Sequence, residues 1–159
     1  DVMNAKIDFV LLKNSPIQIG PSTVMWRNVK HPGTCYSYKI TENNSSVIFS
    51  TDTELTEKDF DRNEENKRFY QSTDTLIIDS QYTLDEAIEK YDWGHSSYSL
   101  AVDFASAWEI KNLYLFHHEP LYDDRKIYSI LKSARWYLRH LEKKGVTINL
   151  AVENLELTL

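Results

Sequence analysis

At 159 residues the chain is long enough for one domain with a sizeable core and short for two, so we read 1–159 as a single domain. A formal charge of −6 disfavours nucleic acid as a partner, because neutralising phosphates needs clustered Lys and Arg. The one cysteine, Cys35, excludes an internal disulfide framework, and no apolar run reaches membrane-spanning length. With no signal-peptide pattern at the N-terminus, the expectation is a soluble cytoplasmic domain without a membrane partner.

The first fifty residues read as strands separated by turns. "KIDFVLL" (6–12) is a predicted strand, 14–21 carries turn punctuation, and "STVMWRNVK" (22–30) is a second strand. "HPGT" (31–34) turns the chain, since Pro32 fixes φ and Gly33 tolerates the backbone angles of a reversal. "CYSYKITE" (35–42) and "SVIFS" (46–50) then form a hairpin turned by "NNS" (43–45).

Beyond residue 50 the pattern changes. The polar stretch 56–71 predicts a weak exposed helix or an ordered loop. "DTLIIDS" (74–80) is the short apolar run of a buried strand. Thr83 and Glu86 stand in capping-box spacing, so a helix opens there. Residues 96–109 place Leu100, Ala101, Phe104, Ala105 and Trp108 on one helical face. "NLYLF" (112–116) is a strand, 123–145 a long helix opened by acidic residues and closed by Lys143, Lys144 and Gly145, and "VTINLAV" and "LELTL" are two closing strands. Strand and helix alternate through this half, which implies an α/β class with helices layered on a sheet.

Candidate chemistry gathers at strand ends. His31, Asp52, Asp79, His95, His117 and His118 all fall where a predicted strand stops or a turn begins. Any one of them can be a turn residue or cap. Carboxylates and imidazoles repeated at several tips would form a divalent-metal site if the strands lie side by side, with imidazole suiting zinc, iron or manganese. His140 lies off the apolar face of its helix and reads as a solvent residue.

The string "HPGTCYSYKI…VIFSTDTE…DTLIIDSQYT…YDWGHSSYSLAVDFA…NLYLFHHEPLYDD" resembles the C-terminal part of metallo-β-lactamase-fold hydrolases. The resemblance is to the branch containing phosphoribosyl cyclic phosphodiesterases and, further off, the tRNA 3′-end processing endonuclease. It implies a partial αββα sandwich, mainly the C-terminal β/α half with preceding strands. It also implies hydrolysis of a small phosphodiester or cyclic phosphate at two divalent ions, zinc or manganese. By the same resemblance His31 and His117 are similar to metal ligands and Asp52 to the aspartate that bridges two ions. His95 is similar to the histidine that protonates the leaving group, Asp79 to an acidic position that orients His95 or a nearby ligand, and His118 to a substrate-facing residue.

The family's H-x-H-x-D-H segment occurs nowhere in the chain, and no histidine precedes His31. This gives a second expectation: a truncated, non-catalytic unit that folds and associates but is inactive alone. An αββα sandwich missing one layer would leave an apolar sheet face bare, so a homodimer, or association with the missing N-terminal half, is expected.

Overall fold

The computed structural model describes residues 9, 11–13 and 16–157. Seven strands form one sheet in the order of the chain: β1 (Ile17–Ile19), β2 (Ser22–Val29), β3 (Cys35–Glu42), β4 (Ser45–Ser50), β5 (Thr75–Asp79), β6 (Asn112–Phe116) and β7 (Thr147–Leu150). The first four run as an antiparallel meander, because short turns can only reverse a strand. Asn43 and Asn44 make the β3–β4 reversal with φ of 48° and 67°, left-handed values that asparagine tolerates. From β4 onward the pairing is parallel, and each connection carries helices: α1 (Glu57–Phe60) and α2 (Glu64–Tyr70), then α3 (Leu84–Glu89) and α4 (Tyr98–Ala107), then α5 (Asp124–His140).

Successive parallel crossovers in one direction place their helices on one face of the sheet. The burial pattern agrees. The row Ile48, Leu76, Leu113 and Ile148 is paired strand to strand, sits within a few per cent of full burial, and packs against Phe104, Ala105 and Ala134 from the helices. The alternating row on the opposite face, Trp26, Tyr38, Phe49, Ile77 and Tyr114, is only partly covered by the described residues, and Phe49 is 38% exposed.

Several expectations need amendment. The strand expected over 6–12 lies largely outside the described residues, and β1 adds a short strand inside the stretch read as a turn. The segment 56–71 is two short helices rather than an exposed one, with Asn66, Phe69 and Tyr70 buried. Its polarity misleads because Asn66 is fully bonded, donating to the carbonyls of Lys58 and Asp61 and accepting from Arg27. The Arg27 guanidinium in turn lies 5.0 Å from the centre of the Tyr70 ring. The long helix stops at His140, before the Lys-Lys-Gly sequence, and 155–157 are not a strand.

Candidate metal centre

β2 and β4 are each antiparallel to β3, so β2, β4, β5 and β6 all end at the same edge of the sheet. The carboxyl edge of parallel strands is where open α/β sheets bind ligands. His31 follows β2 by two residues, Asp52 follows β4 by two, Asp79 closes β5, and His117 follows β6 directly. Asp52 and His117 hold φ of 50° and 55°. Left-handed backbone at a non-glycine costs on the order of 1–3 kcal/mol and persists only where the surroundings dictate it.

The surroundings here are dense. Ser50 Oγ and Thr53 Oγ1 lie 3.0 Å apart, Thr53 Oγ1 donates to the Thr51 carbonyl, and the Thr53 amide donates to Asp79 Oδ2. Ser96 Oγ donates to the Thr53 carbonyl and accepts from the Leu55 amide, tying the 51–55 loop to the residues after His95.

Asp52 Oδ1 lies 3.4 Å from His117 Nε2 and 3.8 Å from His31 Nε2. Two ligands each about 2.0 Å from a tetrahedral ion stand about 3.3 Å apart, so this spacing matches one edge of a coordination shell. A carboxylate oxygen with imidazole nitrogens is also a donor set that zinc or manganese accepts. The two histidines are not equivalent. His31 Nδ1 accepts from the Gly33 amide at 3.2 Å, so its neutral ring carries the proton on Nε2, and binding an ion through Nε2 requires that bond to be given up. A Cβ on Gly94, whose φ is +95°, would stand 2.4 Å from His31 Cδ2, so the glycine is what lets the His31 ring lie there.

Beside this group, Asp79 is fully buried and its carboxylate is saturated. It accepts from the Thr53, Gln81 and Ser96 amides and from His95 Nδ1, the last at 2.6 Å. This bond to Asp79 raises the His95 pKa above the ordinary imidazole value, against the opposing effect of burial. The His95 ring stacks on His117 with centroids 5.0 Å apart and meets His31 edge-on at 5.4 Å. Ligand-type atoms of His31, Asp52 and His95, and of Asp79, His95 and His117, form two groups whose members lie within 4.8 Å of one another.

His118 is set apart. Both of its ring nitrogens are enclosed with no hydrogen-bond partner among the described residues, and burial lowers its pKa, keeping the ring neutral. His140 is exposed and caps its own helix through the Trp136 carbonyl.

Sequence reasoning passed over Thr51, which contacts both Asp52 and His117, and the Lys30–Glu54–Asp92 cluster that braces the loop before His95. The signal for Thr51 was available in "STDTE", where hydroxyls flank the aspartate. A groove of about 1200 Å³ between α3, α4 and α5 is lined by none of the candidate site residues.

The chain matches the beta-lactamase superfamily domain over residues 5–118. Among solved structures it is similar to the metallo-beta-lactamase fold protein YhfI from Bacillus subtilis, with TM-score 0.69 and 21% identity, over 90% of this chain and 52% of that one. It is similar to a diphosphatase of the PhnP family, with TM-score 0.63 and 17% identity, over 93% of this chain and 47% of that one. A Zn(2+)-bound PqqB from Methylobacterium extorquens shares the fold with TM-score 0.58 and 15% identity, over 94% of this chain and 51% of that one. The chain thus spans about half the length of these structures. No curated protein matches it.

Proposed function

Since the chain belongs to the beta-lactamase superfamily domain family and has its metallo-β-lactamase fold, we propose that it contributes His31, Asp52 and His117 to the metal centre of a hydrolase of phosphodiesters or cyclic phosphates. The observation that carries this reading is the Asp52 carboxylate standing between two imidazole Nε2 atoms at the shared strand edge, with a carboxylate-bound histidine alongside. A divalent ion, zinc or manganese, would supply Lewis-acid polarisation of the phosphoryl group and a lowered pKa for the attacking water. The chain's own residues do the rest. Asp52 and His117 offer donor atoms at ligand spacing, and His31 adds a third once its Gly33 bond is released. His95, held through Nδ1 by Asp79, turns its other nitrogen to the site and passes a proton to the departing alkoxide. His118 would contact substrate only if its nitrogens became uncovered.

Further donors must come from outside these six residues for two ions to be held, since H-x-H-x-D-H is not in the chain. That same fact favours the second reading, a non-catalytic unit that folds and associates. The sheet face around Phe49, only partly covered by the described residues, suits a second copy or a complementary half, and a cytoplasmic setting suits the free Cys35. The purified chain, titrated with zinc or manganese and assayed on bis(p-nitrophenyl) phosphate, separates the readings. Metal-dependent hydrolysis lost in Asp52→Asn supports the enzyme, metal binding without turnover supports the associating unit, and no binding at the site overturns the metal centre.

A further inference from the structure

Thr51 Oγ1 lies 3.0 Å from Asp52 Oδ2 on one side and 3.0 Å from His117 Nδ1 on the other. A threonine hydroxyl has one hydrogen to give, whereas an ionised carboxylate can only accept. The hydroxyl hydrogen therefore goes to Asp52, and the same oxygen accepts from His117, whose ring proton must sit on Nδ1. The chain of donors runs His117 Nδ1–H to Thr51 Oγ1–H to Asp52 Oδ2. In the neutral ring this leaves the His117 Nε2 lone pair 3.4 Å from Asp52 Oδ1 with no proton between them. Two acceptors so placed repel until a cation comes between them.

We infer that Thr51 is a positioning residue that sets the tautomer of His117 and the rotation of the Asp52 carboxylate, presenting both as unprotonated donors to a cation. The inference rests on the metal-centre reading above but makes a claim of its own about the chain without metal. His31 is the internal contrast, since its Nδ1 accepts from Gly33 and its proton is on Nε2. The two rings facing Asp52 therefore hold opposite tautomers, and only His117 is prearranged. The Thr51 backbone is pinned independently of the relay, its carbonyl receiving Thr53 Oγ1 at 3.0 Å and Cys35 Sγ at 3.7 Å, so removing the hydroxyl leaves the loop anchored.

The test compares Thr51→Val, which keeps the shape and loses the hydroxyl, with Thr51→Ser, which restores it. Long-range nitrogen–proton NMR on the metal-free chain, above the pH at which imidazoles are charged, reads the tautomer of each histidine directly. Wild type and Thr51→Ser should show His117 protonated on Nδ1, while Thr51→Val should move it toward the Nε2–H form and leave His31 unchanged. Zinc competition with a chelating dye should show affinity lower by roughly ten- to a hundredfold in Thr51→Val and restored in Thr51→Ser, the range expected for losing a partner behind a metal ligand. An unchanged His117 tautomer in Thr51→Val overturns the inference. If the wild type binds no zinc, the metal-centre reading fails while the tautomer measurement still decides the role of Thr51.

Discussion

Asp52 and Gly94 show how individual positions are spent on geometry rather than stability. Asp52 sits in left-handed backbone held by hydrogen bonds among Ser50, Thr53, Asp79 and Ser96, and its carboxylate is thereby directed at two imidazoles. Gly94 combines a φ of +95° with contact to the His31 ring too close for any Cβ. Gly94→Ala should therefore destabilise the fold by about 1–3 kcal/mol, the cost of a strained backbone position, and should displace His31. Denaturant unfolding and the His31 ring resonances check both effects; a stable variant with an unmoved ring would count against the packing described. The residue types at the rim were legible in the sequence because each falls where a predicted strand stops or a turn begins. The tautomers were not, because they depend on Gly33 and Thr51 meeting rings that only the folded turn brings near.

At the scale of elements, the capping box of α3 is a case where local sequence decides. Thr83 and Glu86 bond reciprocally as their spacing predicts. Burial alone would push the Glu86 carboxyl up, but hydrogen bonds from Thr83 and Tyr122 prevail and hold its pKa at about 2. A folded pKa below the unfolded 4.5 means the stabilisation is present above pH 4.5 and is lost as pH falls toward 2. Thermal unfolding across that window should show wild type losing more stability than Glu86→Gln; parallel curves would refute the assignment. α4 shows tertiary packing instead. Phe104 is fully buried and meets Tyr70 edge-to-face at 4.8 Å, so Phe104→Ala should cost about 3–5 kcal/mol by denaturant titration. Its helical face was readable from spacing. The partner helix α2 was not, because a segment with so few apolar residues is buried through Asn66 and Arg27 rather than through hydrophobic periodicity.

At the scale of the molecule, the described residues form one sheet with helices packed on one side. On the other side the row Tyr38, Phe49, Ile77 and Tyr114, only partly covered by the described residues, crosses four strands, and apolar rows of this extent are seldom left to solvent. Light scattering should therefore find the chain as a dimer at micromolar concentration, with Phe49→Lys shifting it to monomer; a monomeric wild type would remove self-association as the way that face is covered. The α/β class followed from alternating runs of strand and helix and an uncovered sheet face from the family resemblance, whereas the strand order was not legible, because it depends on which strands pair and not on where each one lies in the sequence. The metal-centre reading depends on an ion binding at Asp52. Anomalous diffraction at the zinc absorption edge, from crystals of the chain equilibrated with zinc, tests this most directly. The expected result is a peak about 2 Å from both Asp52 Oδ1 and His117 Nε2. A zinc-equilibrated crystal with no peak beside Asp52 would contradict it.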